Sequence, residues 1–187
     1  MATLENACIR HIRDALHKGD AATLSKYWTD AERVRGGNED GVFEREIRRD
    51  TLAYTIVRHA FMHGGRVFGG FVRSHLSGRP YNDIDIMLRE GDRPKFVDTL
   101  GRFVCFVLSL KKKDLHIEHI RRSGTYGSKV RLTAHTPLSC TDHQSAIELE
   151  IDISSLVTST AAPSRQSFVP VSIGSCLQMQ HDGISFR

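Results

Sequence analysis

The sequence predicts an α/β domain, and three stretches carry that reading. In residues 43 to 63, Phe43, Ile47, Leu52, Ile56 and Ala60 recur on or near one face of a helix. Residues 66 to 88 run from a short apolar segment through Gly69-Gly70 into a helical pattern. They end at residues 82 to 88, which alternate polar and apolar like a half-buried strand. Residues 146 to 153 alternate strictly, with Glu148, Glu150 and Asp152 on one face and Ile147, Leu149, Ile151 and Ile153 on the other. Helical and strand periods interleaved along one chain place helices against a sheet.

The remaining elements follow in order. Leu4, Cys8 and Ile12 fall four apart, with Ala15 and Leu16 after them, and Gly19 ends this first amphipathic helix. Asp20 is placed to cap a second short helix through Trp28. Residues 36 to 41 form a glycine-rich loop, and Gly64-Gly65 terminates the long third helix. Within the central stretch, Val72 and Leu76 mark a short helix that Gly78 and Pro80 stop. Gly91-Asp92 opens a further helix, with Phe96, Leu100, Phe103 or Val104, and Val107 at core spacing. Residues 115 to 120 and 129 to 134 read as a hairpin around the turn cluster Ser123-Gly124-Thr125-Tyr126-Gly127. Residues 136 to 145 and 154 to 167 read as loops. Strand-like stretches at 168 to 179 and 184 to 186, with His181-Asp182-Gly183 between them, suggest a last hairpin.

Composition narrows the classes. At 187 residues the expectation is one domain with a real core, comprising a helical part at 1 to 65, a core at 66 to 153 and a C-terminal loop and hairpin at 154 to 187. The net charge of +4 permits a polyanionic partner without demanding one. The four cysteines lie far apart with no Cys-x-x-Cys spacing, so free thiols in an intracellular, cytoplasmic protein are expected rather than a disulfide framework or zinc site. No apolar run approaches the roughly 20 residues of a membrane span, so no membrane association is expected. The ten histidines show no metal-ligand pattern, and Cys140 with His143 is unsupported as a nucleophile and base.

The chemistry is concentrated at 66 to 88. On a strand, Asp83 and Asp85 point the same way while Ile84 and Ile86 enter the core. Two carboxylates on one face call for a positive partner, and a divalent cation with oxygen ligands is the usual one. Gly69 and Gly70 lie one helix upstream, where backbone can approach a phosphate at a helix N-terminus. A phosphate cradle beside a carboxylate pair points to phosphoryl or nucleotidyl transfer.

Gly69-Gly70-Phe71-Val72-Arg73, Leu76, Gly78-Arg79 and Asp83-Ile84-Asp85 together resemble the signature of the DNA polymerase beta-like nucleotidyltransferases. The version is closest to that of CCA-adding enzymes and bacterial-type poly(A) polymerases. The motif resemblance covers about residues 66 to 88, with Ser74 where CCA-adding enzymes usually carry an aspartate. It implies a palm-like fold, a mixed sheet with helices packed mainly on one side. It also implies two Mg²⁺ or Mn²⁺ ions about 3.5–4 Å apart on Asp83 and Asp85, a triphosphate facing Gly69 and Gly70, and Arg73 neutralising a phosphate. In this superfamily a later strand beside the Asp-x-Asp strand supplies a third carboxylate. Glu148, Glu150 and Asp152 all share the required face, and the short side chain flanked by isoleucines favours Asp152 over Glu150.

The expected reaction transfers a nucleoside monophosphate from a nucleoside triphosphate to an acceptor hydroxyl on an RNA end, a small molecule or a protein, releasing pyrophosphate. The alternative is an inactive nucleotide- or protein-binding module of the same fold. No nucleotide-selecting Glu-Asp-x-x-Arg segment follows the motif. Seven basic residues between Leu110 and Arg131, among them Lys111, Lys112, Lys113, Arg121 and Arg122, face only Asp114 and Glu118 in acidic balance. Such a stretch fits weak, salt-sensitive RNA or DNA contact or a merely solvated hairpin.

Overall fold

The computed structural model describes residues 2–31, 42–120, 127–136, 145–156, 177–180 and 183–186. The loop read at 36 to 41, the hairpin turn at 123 to 126 and the Cys140–His143 pair lie outside these residues.

Three helices come first: α1 (Ala2–Lys18), α2 (Ala21–Asp30) and α3 (Val42–Met62). Asp20 caps α2 through its side chain, which accepts the Thr23 backbone N–H at 2.8 Å. Gly64, at a φ of +68°, lets the chain turn out of α3 while the Gly65 N–H closes on Ala60 O at 2.8 Å. Strand β1 (Arg66–Phe68) feeds α4 (Gly69–Ser77), which ends at the left-handed Gly78. Then follow β2 (Asp83–Arg89), α5 (Arg93–Leu108), a 3₁₀ turn at Lys112–Asp114, β3 (Leu115–Ile120), β4 (Gly127–Thr136), β5 (Ser145–Leu156), β6 (Leu177–Gln180) and β7 (Gly183–Phe186).

The protein is mixed α and β, with one seven-stranded sheet in the order β3-β4-β5-β2-β1-β6-β7. Among the described strands only β2 and β5 run parallel; every other pair is antiparallel. A parallel pair needs a long crossover, here supplied by α5 and the β3–β4 hairpin. Strand β5 runs to Leu156, three residues into the stretch read from sequence as a loop, because residues 154 to 156 continue the pairing with β2. The C-terminal hairpin does not stand apart either, since β6 pairs with β1 in the same sheet.

One face of the sheet is dry. Ile84, Ile86 and Leu88 of β2, Val130, Leu132 and Ala134 of β4, and Ile147, Leu149, Ile151 and Ile153 of β5 are all buried. They join one core cluster with Leu52, Ile56 and Ala60 of α3, Phe71 and Val72 of α4, and Phe96, Leu100 and Val104 of α5. The alternate residues of β2, β4 and β5 stay partly exposed on the other face, and the candidate site lies there. Among the described residues, no helix is long and apolar enough to cross a membrane.

Candidate metal centre

The site is built by register. Parallel pairing sets Asp85 opposite Asp152 and Asp83 opposite Glu150. Strand alternation turns all four carboxylates to the open face, because the isoleucines between them are buried in the core. Asp83, Asp85 and Asp152 each offer a carboxylate oxygen, and those oxygens lie within 4.8 Å of one another. These are hard oxygen donors from two adjacent strands, partly exposed and held by backbone pairing, a set that could hold a metal ion.

Glu150 takes a different part. Antiparallel pairing with β4 sets Arg131 opposite Glu150 and Lys129 opposite Asp152. The Arg131 guanidinium donates to Glu150 Oε1 at 2.9 Å and to Glu118 of β3 at 3.3 Å. The Lys129 ammonium pairs with Glu150 Oε2 and lies 3.9 Å from Asp152 Oδ2. Hydrogen bonds from Lys129 and then Arg131 hold the Glu150 carboxyl below the ordinary carboxylate range. Of the three carboxylates left open by the sequence, Asp152 therefore joins the acidic triad, Glu150 is engaged by cations, and Glu148 is exposed one strand repeat further away. The sequence reading counted Lys129 and Arg131 in the basic stretch without pairing either with a carboxylate. Their alternation was legible, but which carboxylate each would face depends on the register across an intervening segment.

The glycines sit where β1 meets α4. Phe68 lies opposite Asp85 in the β1–β2 pairing, so Gly69 begins the helix directly beside the triad. Gly69 holds a φ of +75°, and a Cβ built there would overlap Asp85 Oδ2. Gly70 differs: the nearest atom to a Cβ there is an Arg73 guanidinium nitrogen at 3.9 Å. The N-cap residue Phe68 makes no side-chain cap, so the first turn of α4 presents N–H groups that no cap side chain satisfies. From Gly70 a groove of about 510 Å³ runs along the Arg73, Ser74 and Ser77 face of α4 to Arg79 and Asp83. Arg79 is a second guanidinium in this groove that the sequence reading did not assign.

Helix α4 and the loop into β2 are fastened from behind. Arg13 of α1 donates through Nε to Asp50 Oδ2 of α3 at 2.9 Å, and through Nη1 to the carbonyls of Ser74 and Arg79 at 2.8 Å each. The Tyr81 hydroxyl donates to the other Asp50 oxygen at 2.8 Å, and the Arg49 guanidinium lies 4.3 Å from the Tyr81 ring centre. Both ends of the segment joining Gly69-Gly70 to Asp83 are thereby tied to the N-terminal helices.

Lys111, Lys112 and Lys113 of the basic stretch stand away from this site, whereas its last two members, Lys129 and Arg131, belong to it. The row through Asp85, Asp152 and Lys129 meets β3 at Ile120, and Leu115 lies five positions earlier, about 17 Å along the strand. Lys111, Lys112 and Lys113 precede Leu115, and Lys112 lines a cleft beside Leu115 and Ile117 on the helix-covered side. Arg121 and Arg122 lie outside the described residues. No family model, curated protein or solved structure matches the chain.

Proposed function

We propose that the chain is a metal-dependent nucleotidyltransferase that moves a nucleoside monophosphate from a nucleoside triphosphate to an acceptor hydroxyl. The observation supporting this most is the convergence of Asp83, Asp85 and Asp152 beside the Gly69 end of α4. The acceptor oxygen would bond to the α-phosphorus, the bond from that phosphorus to the β-phosphate oxygen would break, and pyrophosphate would leave with its electrons. Gly69, Gly70 and the uncapped first turn of α4 would hold the phosphates by backbone N–H groups. Arg73 would balance their charge, and Arg79 would extend the same cationic wall. Asp152, on the strand nearer Lys129, would orient the acceptor hydroxyl and take its proton. Asp83, Asp85 and Asp152 would hold two divalent cations, which stabilise charge on the attacking and leaving oxygens when bound.

The test is pyrophosphate release from labelled ATP, CTP, GTP and UTP with Mg²⁺ or Mn²⁺ in the presence of RNA, small-molecule polyols and protein acceptors. We expect Asp83→Asn, Asp85→Asn and Asp152→Asn each to cut transfer by more than about a hundredfold, since even residues behind the ligands of a metal site cost roughly 10–100-fold. Glu150→Gln should cost far less, because its oxygens are already engaged by Arg131 and Lys129. Parent-like turnover in an aspartate variant would overturn the site. Tight nucleotide binding with no pyrophosphate release from any acceptor would favour the inactive binding module.

A further inference from the structure

Strand β3 ends the sheet and pairs with β4 alone among the described strands. Alternate N–H and C=O groups on its outer side therefore meet no described strand, which makes that edge a template for another chain. Behind it, α5 leaves a cleft of about 620 Å³ whose aliphatic lining comes from Val97 on the helix and Leu115 and Ile117 on the strand. Helix and strand converge at Gly101, where a Cβ would come within 2.9 Å of Ile117 Cδ1. The rim is basic: Arg102 and Lys112 line the cleft, and Lys111 and Lys113 are exposed next to Lys112, against Asp98 and Asp114. On α5, Phe106 lies next to the cleft residue Cys105 and is 80% exposed.

We propose that this edge docks an extended segment of a partner protein. The segment pairs antiparallel with β3 as an added strand, sets alternate apolar side chains into the cleft, and lays an acidic run at its C-terminal end against Lys111, Lys112 and Lys113. Each part of the partner matches one observation: a backbone edge that no described strand pairs, an aliphatic cleft and a basic rim. A second copy of this chain fits poorly. Pairing β3 with itself antiparallel would bring the lysines preceding the strand in one copy towards Arg121 and Arg122, which follow it in the other. A nucleic acid fits poorly too, because among the described residues no Phe, Tyr or Trp lines the cleft for a base to stack on.

The test uses the full chain and a peptide that alternates valine and threonine and ends in a run of aspartates. Binding is followed by calorimetry, and strand addition by amide hydrogen exchange across residues 115 to 120. We expect binding that slows exchange in β3 and weakens about tenfold when Lys111, Lys112 and Lys113 are changed together to glutamate. These side chains are exposed, so the variant keeps its fold. The same peptide ending in lysines should bind much more weakly. Absence of binding by the acidic peptide, or binding without slowed exchange in β3, overturns the proposal. So does tighter binding of oligouridylate to the same lysines, or self-association of the chain that slows β3 exchange without peptide.

Discussion

Two adjacent glycines at the mouth of the site make different demands. Gly69 must be glycine for the fold: its φ is +75°, and a side chain would strike the Asp85 carboxylate. Gly69→Ala should therefore destabilise by about 1–3 kcal/mol and displace Asp85. Gly70 meets no such obstacle, its nearest neighbour being the mobile end of Arg73. Gly70→Ala should leave stability unchanged or raise it by up to about 1 kcal/mol, as alanine does within helices. If the triphosphate approaches that backbone, the same change should weaken nucleotide binding. Urea melts and nucleotide titrations of both variants separate the roles, and a Gly70→Ala protein that binds nucleotide like the parent would remove Gly70 from the site. The sequence marked both residues, because a Gly-Gly break between strand and helix periods is a local signal. It could not tell them apart, since Gly69 is constrained by Asp85, a residue from another strand. The pairing of Glu150 with Arg131 was hidden for the same reason: periodicity gives the face of a residue, and only register gives its neighbour.

At the scale of elements, boundaries with local causes were legible: the Asp20 cap, the Gly64 and Gly78 exits, and the alternation of β2, β4 and β5. The placing of β5 beside β2 came from the resemblance, and the fastening of α4 by α1 from neither source. That fastening centres on Arg13, which is 4% exposed and is shared between Asp50 and two carbonyls. Arg13→Ala would leave Asp50 buried without its cation and should cost about 3–5 kcal/mol. Tyr81→Phe, which removes one hydrogen bond to Asp50, should cost about 1 kcal/mol. Arg13→Met with Asp50→Leu should recover much of the loss, and a double variant as unstable as Arg13→Ala would show that the bonds to Ser74 and Arg79 dominate. Helix α4 is also held by His75, whose Nε2–H donates to Asp14 at 3.0 Å, leaving Nδ1 to accept from the Tyr54 hydroxyl. His59 likewise ties α3 to α5 by donating to Phe96 O at 3.1 Å. Burial lowers each imidazole from 6.5 to about 4. Since the unfolded chain takes up these protons at the higher value, their stabilisation is complete above pH 6.5 and fades as pH falls towards 4. The slope should reach up to about 1.4 kcal/mol per pH unit for each imidazole. Urea unfolding at pH 7, 6, 5 and 4.5 checks this, and His59→Asn should lower the slope by about one proton's worth.

For the whole molecule, the decisive feature is that the sheet has a dry face and a charged one. Across β2, β3, β4 and β5 the open face carries six carboxylates, Asp83, Asp85, Glu118, Glu148, Glu150 and Asp152, against three cations, Arg89, Lys129 and Arg131, a net charge of −3. The chain as a whole is +4, so this face is acidic against the background of its own protein. Repulsion among Asp83, Asp85 and Asp152 acts on the folded state and is relieved in the extended unfolded chain. A divalent cation that binds the triad should therefore stabilise the fold, by about 2.7 kcal/mol at a hundred times its dissociation constant. For a chain of this length that corresponds to a rise in melting temperature of roughly 5–10 °C. Sodium chloride should act differently. It shortens the screening length from about 10 Å at 0.1 M to about 3 Å at 1 M, easing the repulsion across the face without entering the triad. Asp85→Asn should raise the melting temperature of the metal-free protein and abolish the Mg²⁺ increment. Glu148→Gln lowers the charge of the same face outside the triad, so it should raise the metal-free value slightly and keep the increment. Calorimetric melts of the three proteins with and without Mg²⁺, at low and high salt, distinguish a site from a field. Equal increments in the parent and in Asp85→Asn would mean that Mg²⁺ only screens the acidic face, and that Asp83, Asp85 and Asp152 do not form a metal centre.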